Sequence, residues 1–317
     1  MGLPAASQWR KWFLMVRGRS ILHVPQGIGR YYSKDDLRGY YNDLTNKYSS
    51  KYGSQVLDKN GIPVRQLSNV DWVYFPTSIA QYGLGAYDIW LSTGEEEPYS
   101  AFIRCSKWLV DNQDELGGWK VWHFLGGTPD NPYSSMTQGE GASLLYRAGV
   151  VSKDKSFLAA ADKAIGLMIL PIEDGGTARI FDGGIVLEET PNKPGSAILN
   201  GWIFSIFGLY DALLVSKCSQ WKEAFEKTID TLEKNLEFYD AGYWSFYDRN
   251  GHFASPFYHE LHVNLLKVLY ALSGKEKFLT IALRWEQYSK NRLNCSRAFL
   301  RKAWQKIIEP EEVVLVR

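Results

Sequence analysis

Leu187-Glu188-Glu189-Thr190-Pro191-Asn192-Lys193-Pro194-Gly195-Ser196-Ala197-Ile198-Leu199-Asn200-Gly201 joins a long polar loop to an apolar run. Two adjacent acids come first, two prolines and a glycine then stiffen the approach, and a helical pattern follows. Ser196 alone could cap such a helix, so an entrance this elaborate points to a further purpose. Acids held by a rigid loop at a helix mouth suit proton chemistry. Taken by themselves they read first as a solvated pair. Neighbours on an extended segment point to opposite faces, so only one of Glu188 and Glu189 is expected to face a site.

The same arrangement, a polar loop feeding a helix, recurs along the chain. Helical patterns pair as Ile79–Leu91 with Pro98–Val110, Met136–Arg147 with Lys155–Leu170, Ala197–Leu214 with Gln220–Leu236, and His259–Leu272 with Lys275–Lys290. Connections within each pair are short, whereas residues 113–135, 171–196 and 238–258 form long loops between pairs. Such a repeat, with a period of about 60 residues, describes a stacked array of helical hairpins. If one helix of each pair faces inward, all the long loops gather at one end, and long loops in a compact domain are usually functional. The expected fold is therefore all-α, an (α/α) toroid of about four hairpins spanning residues 71–317. Residues 1–70 are expected to form a short mixed N-terminal arm. In it a helix opens after Ser33-Lys34-Asp35-Asp36-Leu37 and runs toward Tyr48, and a hairpin over Gln55–Val64 turns at Asn60-Gly61.

Aligning the inner-helix starts places Gln81, Gln138, Asn200 and His262 at one register, with Gly83, Gly139 and Gly201 close behind the first three. One reading is a ring of polar groups around a central cavity, with small residues permitting close helix approach. The other is four unrelated side chains tying loops down.

Composition narrows the function. A net charge of +1 over 317 residues gives no basic face for nucleic acid. The three cysteines, Cys105, Cys218 and Cys295, are odd in number and widely spaced, which fits reduced thiols and not a disulfide frame or a zinc site. The longest early apolar run, Trp12–Val16, is too short for a signal peptide or a membrane span, so a cytoplasmic location is expected. Aromatic residues make up 15% of the chain, with 12 Trp and 19 Tyr, enough to line a groove that stacks on sugar rings or to fill a ring-rich core.

Other chemistry-bearing stretches are few. Tyr239-Asp240-Ala241-Gly242-Tyr243-Trp244-Ser245-Phe246-Tyr247-Asp248-Arg249-Asn250-Gly251 alternates like a small β-hairpin, which puts Tyr247 and Arg249 on one face. There Arg249 could pair with a substrate carboxylate. Tyr258-His259-Glu260-Leu261-His262 opens the fourth inner helix, but its His-x-x-His spacing lacks the i, i+4 pair and third ligand of a helical zinc site. Neither a metal nor a cofactor is expected, and no phosphate loop or Gly-x-Ser-x-Gly elbow is present.

The ordered set Tyr74-Phe75-Pro76, Ile79-Ala80-Gln81-Tyr82-Gly83-Leu84, Gly117-Gly118-Trp119, Tyr133-Ser134-Ser135-Met136-Thr137-Gln138-Gly139, Glu188-Glu189 with Pro191 and Pro194, Leu199-Asn200-Gly201, Gly208-Leu209-Tyr210-Asp211, Tyr247-Asp248 and Tyr258-His259 with His262 resembles the catalytic domain of D-glucuronyl C5-epimerases. The resemblance covers roughly residues 70–290. It implies an α/α toroid and the conversion of D-glucuronate to L-iduronate units within a heparosan-type polysaccharide, the precursor class of heparan sulfate. It places a catalytic base on Glu189, an opposite-face acid/base on Tyr258 and a further catalytic tyrosine on Tyr247. Gln81, Tyr82, Tyr133, Gln138, Asn200, Arg249, His259 and His262 become candidate substrate contacts. An acidic, uronate-containing polysaccharide is the implied partner, and animal members suggest a homodimer. Two positions depart from the pattern: Thr190 stands where the family has a tyrosine, and Arg249 lies one residue earlier than the family's arginine. Animal members carry a β-barrel ahead of the toroid; here about 70 residues precede it, so any chain-binding surface that barrel supplies is expected to be reduced or absent.

The chemistry suits these residue types. The C5 proton of a uronate is weakly acidic, so removing it takes a base on one face, donors for the enolate-like carboxylate, and an acid on the other face. Tyr258 is a poor base at an ordinary pKa of about 10 and needs a helping neighbour. Among the residues read here, His259, His262 and Arg249 are the candidates. A polysaccharide lyase on the same scaffold, or a carbohydrate-binding homologue that lost activity with Thr190, are the competing readings.

Overall fold

Four antiparallel helical hairpins follow one another in the computed structural model, which describes residues 23–49, 55–66, 72–125, 130–192, 195–216 and 218–308. A single turn, α1 (Thr45–Tyr48), precedes them. The hairpins pair α2 (Pro76–Thr93) with α3 (Glu96–Asp111), α4 (Ser135–Ser152) with α5 (Lys155–Ile169), α6 (Leu199–Val215) with α7 (Ser219–Asn235), and α8 (Pro256–Ser273) with α9 (Glu276–Lys290). The first helix of each pair packs on the first helix of the next, so α2, α4, α6 and α8 form the inner layer and their partners cover them. Burial explains the sorting. Every residue of α6 from Leu199 to Leu209 is buried, whereas α7 buries only a stripe that includes Ala224, Thr228, Ile229 and Leu232. A helix apolar all round must sit inside, and an amphipathic one lies across it. The molecule is the all-α toroid that the repeat implied.

Helix ends follow elementary rules. Both α2 and α8 begin with proline in the first turn and stop at a left-handed glycine, Gly94 with φ 70° and Gly274 with φ 71°. Helix α6 is different. Ser196 does not cap it: the N-cap is Ile198, and the Leu199 amide donates to the Tyr247 carbonyl at 3.0 Å. Gly139 and Gly208 give α4 and α6 their close approach, since a Cβ on Gly208 would fall 2.5 Å from the Gly139 Cα. Gly201 is small for another reason: a side chain there would collide with the Glu189 carboxylate.

The segment before the hairpins is built into the ring. The guanidinium of Arg147 on α4 pairs with Asp211 on α6 at 2.6 Å and donates to the carbonyls of Arg38, Gly39 and Ser143. Tyr41 donates its hydroxyl to the same Asp211 at 2.7 Å, and the Tyr40 amide donates to Asp88 on α2 at 3.0 Å. These bonds replace most of the expected helix after Asp35. Ser33 and Asp36 spend their side chains on nearby amides, and only Thr45–Tyr48 becomes helical.

The hairpin turning at Asn60-Gly61 is present as β1 (Val56–Leu57) and β2 (Pro63–Gln66), and β3 (Trp72–Val73) adds an unexpected third strand. A second unexpected hairpin, β4 (Ala178–Phe181) with β5 (Gly184–Leu187), turns at Asp182-Gly183 and leads straight into the acidic pair. The expected hairpin at 239–251 is reduced to two isolated bridges, Asp240 with Ser245 and Phe246 with Phe253. A further helix, α10 (Arg292–Ile308), closes the described chain. The apolar run Trp12–Val16, Pro194 and the expected boundary near residue 70 lie outside the described residues. Among the described residues no helix is long and apolar enough to cross a membrane.

Candidate active site

The two acids at the entrance of α6 have opposite fates. Glu188 is fully buried and committed: Arg179 on β4 pairs with it at 3.0 Å, the Ala197 amide donates to it at 2.9 Å, and the Ser196 hydroxyl lies at 3.3 Å. The Ala197 backbone is left-handed with φ 37°, a costly conformation for an alanine, and the Glu188 carboxylate and the Tyr239 hydroxyl hold it from its two sides. Glu189 points the other way. Its Oε2 is shielded from water and has no hydrogen-bonding partner among the described residues. Burial, reinforced by the charge of Glu188, pushes its carboxyl up to about 7. The departure at Thr190 is a local staple, since its hydroxyl bonds that of Ser196 at 2.9 Å.

The next long loop is stitched onto this entrance. Tyr247 supplies the carbonyl that receives the Leu199 amide, and the Arg249 amide donates to the Ser196 carbonyl at 2.9 Å. Ser245 fastens the loop to α8. Its amide donates to His259 Nδ1 at 3.1 Å, and its hydroxyl lies 2.8 Å from that atom and 3.2 Å from His262 Nδ1. Because Nδ1 of His259 accepts an amide, its proton sits on Nε2, which donates to the Trp285 carbonyl at 3.0 Å. Trp244 stacks on the same ring at 3.7 Å. His259 is thus a clamp between loop and helix, and burial lowers its pKa to about 4. His262 is buried and neutral too, lowered to about 3 by burial and by His259, but its Nε2 has no partner among the described residues.

Tyr258 and Tyr247 meet edge to face, with ring centres 4.9 Å apart. One partner of the Tyr258 hydroxyl comes from the N-terminal segment: His23 Nε2 lies 3.3 Å from it. His23 also stacks on Phe257 at 4.4 Å.

A charged cluster that the sequence did not reveal completes the picture. Glu140 on α4 is fully buried, and the Gln81 amide donates to both its oxygens at 3.1 and 3.2 Å. Burial pushes its carboxyl up to about 8, opposed by Gln81 and by the Lys47 charge and aided by Glu189. Lys47 on α1 is lowered to about 8 by burial and then by Arg65, and makes no ion pair among the described residues. Arg65 donates to the Ser78 hydroxyl at 3.0 Å in the first turn of α2. A lone acid between Gly139 and Gly141, the one acidic residue of α4, was the available signal for Glu140. Lys47, Arg65 and His23 carried none, because only the fold brings them here.

The remaining candidates are dispersed. Tyr82 packs its ring on Tyr48 at 5.2 Å, and Cys105 and Arg104 on α3 lie near its hydroxyl. Tyr133 gives its hydroxyl to Asp114 at 2.7 Å. Gln138 is buried with both amide atoms unpartnered among the described residues, and its Nε2 lies where a side chain on Gly118 would go. Asn200 Oδ1 is likewise unpartnered. The guanidinium of Arg249 lies 4.9 Å over the exposed ring of Phe238. Of the four aligned polar positions, three retain an unpartnered buried atom and Gln81 is spent on Glu140. No group of three or more His, Cys, Asp or Glu residues that could hold a metal ion occurs among the described residues.

Residues 113–287, which contain the acidic loop, the Tyr247 loop and the start of α8, match the family described as the D-glucuronyl C5-epimerase C-terminus. The chain belongs to that family. Among curated relatives, a D-glucuronyl C5-epimerase of Caenorhabditis elegans is 31% identical over 229 residues, covering 61% of this chain and 36% of that protein. An uncharacterized protein of Methanocaldococcus jannaschii is 27% identical over 147 residues, covering 45% of this chain and 48% of its own. This C5-epimerase-family chain therefore spans about a third of the length of the first relative and half of the second. Among solved structures, a GH76 alpha-mannanase of Bacteroides thetaiotaomicron aligns with TM-score 0.44 at 13% identity, covering 69% of this chain and 56% of that one. A polysaccharide lyase aligns with TM-score 0.42 at 14% identity, covering 91% and 35%.

Proposed function

We propose that the chain inverts C5 of D-glucuronate units within a heparosan-like polysaccharide, with Glu189 as the base on one face and Tyr258 as the acid on the other. The observation that carries this reading is the Glu189 carboxyl, half-buried with its Oε2 shielded from water and unpartnered among the described residues, and pushed up to about 7 by desolvation and the Glu188 charge. Such a group is a base waiting for a proton, and its pKa suits work near neutrality. Family membership supplies the reaction class. The family's tyrosine positions support Tyr258 and Tyr247, which stand ring to ring. Among the described residues Lys47, which makes no ion pair there, is a cation that a substrate carboxylate can meet. Carbanion charge at C5 spreads into that carboxylate, so a cation beside it lowers the barrier.

Incubating the chain with unsulfated heparosan in D₂O tests the reading by NMR. Deuterium enters C5 and iduronate forms without chain cleavage. Glu189→Gln removes the exchange while the thermal transition is retained. An unsaturated, ultraviolet-absorbing product would show that the C4 oxygen is expelled, as in a lyase. Full exchange in the Gln variant would remove Glu189 from the mechanism.

A further inference from the structure

The sequence left open which neighbour makes Tyr258 competent. His259 has both ring nitrogens engaged, by Ser245 and by the Trp285 carbonyl, and His262 is tied to Ser245 through Nδ1. The Arg249 guanidinium lies over Phe238. The imidazole that does reach the phenol arrives from a segment more than 200 positions away in sequence.

Building on the proposed two-base reaction, we infer that His23 is the positioning residue of Tyr258: in the tautomer protonated on Nε2 it donates a hydrogen bond to the phenol oxygen and stabilises the phenolate. Three observations support it. Nε2 lies 3.3 Å from the hydroxyl. The imidazole is fixed in place by stacking on Phe257 at 4.4 Å and by an edge contact with the Tyr258 ring at 5.2 Å. The charges that act on it include two cations, Lys47 from α1 and Lys306 from α10, and the Lys302 amine lies over the ring of Tyr247, which packs on Tyr258. Burial and then those two lysines lower the His23 pKa to about 4, so the ring is neutral at pH 7. The same positive surroundings favour a phenolate.

The proton balance is as follows. Glu189 takes the C5 proton, and the electron pair of the broken C–H bond passes into the uronate carboxylate. Tyr258 then breaks its O–H bond to form the new C–H bond on the opposite face, leaving a phenolate. His23 holds that charge through its N–H donor without giving up its own proton; when the product leaves, Glu189 passes the C5 proton to water and water returns a proton to the phenolate, which restores both groups. In the reverse direction the phenolate is the base. An ordinary phenol ionises only near 10, so an N–H donor to the phenolate is what the reaction needs from His23.

Two readouts test this with the full chain. The first needs no substrate: ¹³Cζ-tyrosine NMR, with the Tyr258 signal assigned by loss in Tyr258→Phe, follows its ionisation. The midpoint is expected to rise in His23→Phe by on the order of one pH unit and by less in His23→Gln, which retains an N–H donor. An unchanged midpoint in His23→Phe overturns the proposal whether or not the chain proves to be an epimerase. The second is the pH profile of C5 exchange. His23→Phe is expected to lose about tenfold to a hundredfold in rate, with its alkaline limb displaced, and Gln to recover part of the loss. Equal losses in both variants, with unshifted profiles and lowered thermal transitions, would reduce His23 to a structural contact. Absence of exchange in the wild type would sink the epimerase reading and leave the first readout standing.

Discussion

Glu189 can act as a base only while it is ionised, and its carboxyl is held near 7 by burial and by the adjacent Glu188 charge. The rate of C5 exchange is therefore expected to rise with pH through about 7. A profile already flat from the ordinary carboxylate range upward would contradict the burial of this group. Gly201→Ala probes the same carboxylate sterically, because the new methyl would occupy the space of Oε2. The expected result is a large loss of exchange by NMR together with a lowered thermal transition, because the methyl also crowds the Glu189 Cβ at 2.8 Å. This half of the candidate site was legible in the sequence, as the acidic pair adjoins its own stiff loop and helix. That the two acids would point opposite ways was legible too, from alternation along an extended segment. Glu140, Lys47, Arg65 and His23 were not, because their proximity depends on tertiary packing that no local spacing encodes. The shared face of Tyr247 and Arg249 was read from strand alternation, whereas the loop makes only isolated bridges.

At the scale of elements, the eight hairpin helices were readable within a few residues because each inner helix is apolar and each outer one amphipathic. The β4–β5 hairpin was missed although Asp182-Gly183 lies between short apolar strands, a strong two-residue turn signal. It matters, since β4 carries Arg179, the ion-pair partner that keeps Glu188 out of the way of Glu189. The early helix was over-read because Tyr40 and Tyr41 turn inward to Asp88 and Asp211 instead of continuing a helical face. The Arg147–Asp211 pair anchors that segment in a dry interior. Removing one partner strands the other charge, so Arg147→Met is expected to cost about 3–5 kcal/mol in chemical denaturation. A loss below about 1 kcal/mol would mean that water reaches the pair.

At the scale of the whole molecule, buried ionisable groups set a stability optimum. Glu140 titrates near 8, and Asp88 and Glu189 near 7, all raised by burial. A raised acid holds its proton longer in the folded state. Its contribution is complete below the unfolded value of 4.5 and lost as pH climbs through about 8 for Glu140. His23 and His259, near 4, and His262, near 3, work in the opposite sense. Their unfolded forms bind protons that the folded forms refuse, so stability rises from about 4 toward their ordinary 6.5. The melting temperature is expected to peak between these limbs. Glu140→Gln, which cannot ionise, should flatten the alkaline decline, and an identical decline in that variant would place the titrating group elsewhere.

The account rests on two residues serving the two faces of one carbon. A single turnover on heparosan in D₂O, read by NMR at C5, tests this most directly. Newly formed iduronate carries deuterium from Tyr258 while the unreacted glucuronate keeps its protium. Iduronate that retains the original protium would show one base returning its own proton, and would contradict the assignment.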